Sequence, residues 1–371
     1  MPSVPLAAHV NQTPFPSQYF QTVNQHAEVF HVVVLRATYD MTRRDTDGTM
    51  YFADAQAPLV TEDVWMGEPN ASSPVWESDL APYKPKCDVI VVNATAYSPG
   101  ARPMRKWVAG VRVNSWTKYL TVTGPRSFAS FGRVTQPDPA ISVPLNYSLA
   151  FGGERKTALS ASEIANGVQP AVWDTDERNP VGLGFGHSDR AKQATASNEK
   201  PSKWTIRDKP LNLAAPQLEQ DGSAFTGQAN YLPVSLGCIG RAWRPRRELA
   251  GIYDEAWKAQ QWPLPPEDFD YGYWNCAPQD QQIDFPPPRT SIMLTNIYPG
   301  LEQWEGFLPR HELYAWVRVK DVMIIPKRLN LDTLIVDMAK QQVSAVYRVL
   351  VSGEGRVSGI DTRIRAIYRP S

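Results

Sequence analysis

Residues 29–40 read VFHVVVLRATYD, a run dense in β-branched and aromatic side chains that suit a pleated, packed surface better than a helix. A second run, DVIVVNATA at 88–96, holds Val89, Ile90, Val91 and Val92 in unbroken succession. Four consecutive apolar residues leave no face for water, so this segment is predicted to be a strand covered on both sides, and the two runs together predict a sheet with both near its middle. Working outward, residues 107–113 and 118–123 flank Asn114, Ser115 and Trp116, a short polar turn between extended stretches that predicts a hairpin. That hairpin is expected to share one core sheet with the first two strands. Residues 292–297, 313–319 and 322–325 continue the β pattern. Toward the C-terminus Val343, Ala345, Tyr347, Val349 and Val351 recur at every second position, and Ile360, Thr362 and Ile364 alternate with Asp361, Arg363 and Arg365. Period-two spacing with one wet face predicts outer strands closing a sandwich.

The fold class is therefore mainly β: a sandwich-like core with long Pro-rich loops and a few short helices. Proline fixes the loops. There are 33 prolines in 371 residues, about 9% against an ordinary usage of roughly 5%. They crowd the stretch 152–289, where they forbid long helices and interior strands. Two short helices remain possible there, one capped by Ser160 with Glu163 three residues on, the other across 246–260 with a break near Gly251. A structureless run of this length is expected to wrap over the sheets, pinned by its tryptophans. The expected organisation is an N-terminal extension at 1–16, a β-rich body at 17–310 carrying the loop-rich insertion at about 152–289, and C-terminal strands at 311–371 packed on the same body.

Lys plus Arg and Asp plus Glu both number 38. With no net field to gather a polyanion or an acidic bilayer, neither nucleic acid nor membrane is expected as a partner. Three widely spaced cysteines, Cys87, Cys238 and Cys276, offer neither a disulfide framework nor a zinc knuckle. With no cationic, apolar leader at 1–16 and no apolar run long enough to span a bilayer, this predicts a soluble protein of a reducing cytoplasm.

Chemistry is sparse. His9, His26, His31, His187 and His311 show no metal-binding pair spacing, so no metal and no cofactor is expected. Cys238, between Gly237 and Gly240, reads as a buried small hydrophobe rather than a nucleophile, since activation needs a base that the sequence does not place beside it. The alternating glycines at 182–186 lack the flanking strand and helix of a phosphate loop. Glu267, Asp268 and Asp270 lack the later ligands of a calcium loop and are read as turn caps. The sharpest cluster is Arg241, Arg244, Arg246 and Arg247 around Trp243. Loop Trp and Arg are the commonest hot-spot residues of protein interfaces, and the alternative is internal pairing, with Glu267, Asp268 and Asp270 as the expected acids.

The block at 240–281, GRAWRPRRELAGIYDEAWKAQQWPLPPEDFDYGYWNCAPQDQ, adds a resemblance. Its WRPR at 243–246, GIYD at 251–254, PEDFD at 266–270 and NCAPQDQ at 275–281 resemble, in order, the signature of a bacterial domain-of-unknown-function family (DUF 2169) associated with type VI secretion gene clusters. SDLAPYKP at 78–85, AFGG at 150–153, NPVG at 179–182 and LDTLIVD at 331–337 agree with it, whereas GPRSF at 124–128 and YSL at 147–149 depart from the expected Gly-Asp-Arg-x-Trp and Tyr-Glu-Arg. The resemblance implies a non-enzymatic cytoplasmic adaptor or chaperone, without cofactor, that binds a type VI secretion effector, often one carrying a PAAR domain, and helps mount it on the VgrG spike. The partner-binding residues expected on this reading are Arg241, Trp243, Arg244, Arg246, Arg247, Asp268, Asp270 and Trp274. Two alternatives stand beside it: a hydrolase acting on sugars or cell-envelope material through the carboxylates near Asp268 and Asp270, and a structural component of the secretion machinery.

Overall fold

A computed structural model of the chain describes residues 6–128, 134–156, 165–169, 172–185, 214–225, 230–320, 323–353 and 357–366. The expected helix start at Ser160 and Glu163, and with it His187, Trp204 and Gly186 of the glycine-rich run, lies outside them.

Val29–Arg44 is a 16-residue strand and the spine of a seven-stranded sheet. Side chains 31 to 39 are buried without interruption, since both faces are covered. Ser17–Val23 pairs with its first half and Met50–Phe52 with its second, on one side. Gln342–Ser352 pairs along its whole length on the other side. Next come Asn330–Asp337, then Cys87–Val92 in parallel, then the short Gln282–Ile283. Cys87–Val92 is buried at all six positions, as an apolar run demands. The C-terminal strands behave differently from the alternation in their sequence. Gln342–Ser352 is not an outer strand; it lies at the centre of the sheet, because Ser344 and Arg348, which read as a wet face, are buried beneath loops.

The hairpin forms as expected from Lys106–Val113 and Trp116–Thr123, with Asn114 in the left-handed region at φ 51° and its Oδ1 accepting the Ser291 amide. It does not join the large sheet. It belongs to a five-stranded antiparallel sheet with Ser291–Thr295 and Gln303–Phe307 on one flank and Leu218–Gln220 on the other. A third sheet of four strands runs in the order Ala8–Asn11, Val357–Ala366, His311–Val319, Met323–Arg328. Residues 8–11, read as an extension, are thus a parallel edge strand of this sheet.

One core joins all three sheets. Val33, Leu35, Val89 and Val91 of the large sheet meet Ala109, Val111, Leu120 and Leu294 of the second and Leu313, Ala315 and Ile360 of the third. At the junction His311 lies among the rings of Phe15, Phe52, Tyr39 and Tyr347, with Nε2 3.2 Å from the Tyr39 hydroxyl. Burial pushes the His311 pKa from 6.5 down to about 4. The unfolded chain then binds a proton that the folded one refuses, so this contribution is complete above pH 6.5 and is lost as pH falls toward 4. We expect it to cost about 2 kcal/mol between pH 7 and pH 4.5. Urea unfolding at the two pH values should show that part of the acid sensitivity missing from His311→Gln; an identical pH dependence in both proteins would refute the assignment.

Candidate partner-binding site

The second face of the large sheet is roofed by the Pro-rich loops. Val34, Ile90, Val92, Ile335 and Val346 form a small apolar floor that meets Cys238, Cys276 and Ala277 of the roof. Cross-strand register places Arg36, Val346, Thr333 and Asp88 in one row on this face. Two of the four carry charge inside the protein, which is tolerable only when each charge is paired and its remaining hydrogen-bonding capacity filled.

The motif segments supply the partners. From residues 78–85, Asp79 accepts from Arg36 at 3.0 Å, and Lys84 Nζ reaches Asp88 at 2.8 Å and Thr333 at 2.9 Å. Burial opposes the Lys84 charge, but Asp88, with Cys276, Asp332 and Glu77, holds its pKa above the ordinary lysine range. Arg348 donates to Asp332 at 2.6 Å and to the carbonyls of Asp79 and Ala81, clamping the same segment from the sheet side. From residues 275–281, Asn275 Nδ2 and the amides of Cys276 and Ala277 donate to Asp88 at 3.0, 2.9 and 3.2 Å, and Gln281 donates to the carbonyls of Val89 and Leu236. Asp88 is thus the anchor on which two separate loops converge.

Residues 241–247 extend this roof. Trp243 is buried edge-on against Tyr147, 5.2 Å between ring centroids, and precedes the one-turn helix Arg244–Arg247. Arg246 is buried beneath it, donating to Glu77 at 2.8 Å and to the carbonyls of Tyr273 and Ile239. Burial opposes its charge, and Glu77 more than offsets that. Arg241 shares Glu77, reaches Asp63 at 3.2 Å and lies over the Trp274 ring, 5.4 Å from its centroid. Arg244 and Arg247 point outward and pair with Glu248 and Glu177. The expected acids are therefore corrected: the arginines take Glu77, Asp63, Glu248 and Glu177, not Glu267, Asp268 or Asp270.

Those acids have local work instead. Asp268 Oδ1 accepts the Ile252 amide at 3.0 Å beside Gly251, whose φ of +80° needs glycine, and Asp270 Oδ1 accepts the Gly272 amide at 2.7 Å at the start of Tyr271–Trp274. Of the expected set, then, Trp243 and Arg246 are interior, Asp268 and Asp270 cap turns, Arg241 and Trp274 are half-buried beside Glu77, and Arg244 and Arg247 form the solvent rim. The Asp88 and Glu77 centres were missed by sequence reading; the signal available was a lone Asp opening the apolar run at 88–92, a charge that must be paired if the strand is buried.

The three thiols are buried. Burial, with the nearby Glu77 charge, pushes Cys238 up to about 12, so it stays protonated at neutral pH. Among the described residues no group of three or more His, Cys, Asp or Glu side chains is placed to hold a metal ion, and no helix is long and apolar enough to cross a membrane. The departing segment at 124–128 is also woven in: Arg126 pairs with buried Glu219 at 2.7 Å.

These features define a mainly β protein whose three largest sheets share a core and whose segments at 78–85 and 240–281 are charge-pinned over one sheet face. The chain belongs to the family described as "Uncharacterized protein conserved in bacteria (DUF2169)", whose model matches residues 26–348. Comparison with curated proteins and with solved structures returned no match.

Proposed function

We propose that this protein is a non-enzymatic cytoplasmic adaptor that binds a type VI secretion effector and helps load it onto the spike built from VgrG and PAAR proteins. The observation that carries this reading is the use of the signature segments. Their Asp, Arg and Lys side chains pair with one another, with neighbouring acids and with backbone groups, so these loops are fixed to the sheet through buried Asp88 and Glu77. A body fixed in this way suits recognition, which favours a preformed partner over a flexible one. The carboxylates on which a hydrolase reading rested, Asp268 and Asp270, each hold a backbone amide.

The test is co-expression with the effector encoded beside it. The expected result is a stable complex by pull-down, together with lower effector abundance or delivery when this gene is deleted while the rest of the secretion machine still fires. No complex and unchanged delivery would end the adaptor reading.

A further inference from the structure

The third sheet turns one face into the core, and among the described residues nothing packs over the other. Inward go Leu313, Ala315, Val317, Ile360 and Thr362, all buried. Outward, register aligns Val10, Asp361, Trp316 and Pro326 in one row across all four strands. Arg318 and Ile324 stand opposite one another in the row on one side, and Arg363, Tyr314 and Arg328 align in the row on the other. Val10, Trp316 and Ile324 are 48%, 38% and 58% exposed, and with Pro326 they make an apolar stripe, interrupted by Asp361 between Val10 and Trp316, on a surface where alternation ordinarily places polar residues.

The charges around the stripe are unequal. Arg318, Arg328, Arg363 and Arg365 face outward, against Glu312 and Asp361 among the described residues of that face. Arg318 and Arg363 share Asp361 at 4.0 and 3.7 Å, and Arg363 also lies over the Trp316 ring, 6.0 Å from its centroid. Two guanidiniums on one carboxylate at those distances leave most of their donors unspent. Arginine offers carboxylates a planar, two-pronged donor, and Trp with Arg around an apolar centre is the composition of interface hot spots. Two of the four strands, Ala8–Asn11 and Val357–Ala366, lie outside residues 26–348, the part of the chain that the family model matches.

We propose that the outward face of this sheet, centred on Trp316, docks an acidic protein surface whose carboxylates surround an apolar centre. Resting on the adaptor reading, it assigns the effector to this face rather than to residues 241–247, whose outward arginines are matched one to one by Glu248 and Glu177. The carboxylates in its midst argue against a polyanion such as nucleic acid, which Asp361 and Glu312 would repel.

Calorimetry with the full-length chain and the purified product of the adjacent effector gene tests it. Arg318→Glu with Arg363→Glu, and separately Trp316→Ala, should each weaken binding at least about thirtyfold with an unchanged melting temperature. Asp361→Asn should tighten it several-fold and speed association at low salt, a gain that misfolding does not produce. If the wild-type complex forms and all three variants bind like wild type, this face is not the docking surface and the adaptor reading stands. If the wild-type chain forms no complex, both fall. Tight, salt-sensitive binding of a mixed-sequence single-stranded oligonucleotide, lost in the double-arginine variant, would overturn the acidic-protein assignment.

Discussion

Asp88→Ala is expected to destabilise the protein by about 3 to 5 kcal/mol, the cost of leaving a buried charge without its partner. The carboxylate is fully buried and answers five donors: Lys84, Asn275, the amides of Cys276 and Ala277, and the Cys276 thiol. Removing it strands the Lys84 ammonium over an apolar floor and frees two loops at once. At about 1.3 °C per kcal/mol in a chain of this size, the melting temperature should fall by roughly 4 to 6 °C. Replacing the pair together, Lys84→Met with Asp88→Leu, removes both charges and should recover only part of the loss, since the amides of Cys276 and Ala277 remain unanswered. Equilibrium urea unfolding checks both. A loss below about 1 kcal/mol for Asp88→Ala would mean that the loops are held by their apolar contacts instead.

Arg246→Ala should cost a similar amount, about 3 to 5 kcal/mol, because it leaves Glu77 with only Arg241 and orphans the carbonyls of Tyr273 and Ile239. Two residues away, Arg244→Glu should leave the melting temperature where it is, since its pair with Glu248 lies in solvent, where such pairs contribute little. Thermal unfolding of the two variants side by side is decisive. Equal effects would show that the arginine cluster acts as one unit rather than as a buried anchor with a solvated rim.

The strands were legible because burial writes itself into composition. Residues 29–40 and 88–92 could not be solvated as drawn, and the turn at Asn114 and Ser115 could not be helical. Sheet membership was not legible. The hairpin at 106–123 has the same apolar alternation whether it extends the large sheet or packs across from it, and what decides is which edges are already taken by residues 330–352, more than 200 positions away.

Of the candidate site, sequence showed the cluster and its composition. It did not show direction, because Arg241, Arg244, Arg246 and Arg247 are chemically identical and only the one-turn helix following Trp243 turns Arg246 inward and Arg244 and Arg247 outward. The alternation at 342–352 failed for a related reason: Ser344 and Arg348 read as a wet face, yet Asp332, Arg36 and the carbonyls of 79–81 supply inside the protein what water would have supplied outside.

By itself the sequence determined that this chain forms β-strands, that prolines hold its middle to loops, and that a lone charge opens the apolar run at 88–92. Which cation, which loops and which sheet were decided only by the tertiary structure. Apolar burial is non-directional and reads locally from composition, whereas ion pairing at 2.8 Å depends on where distant segments come to rest.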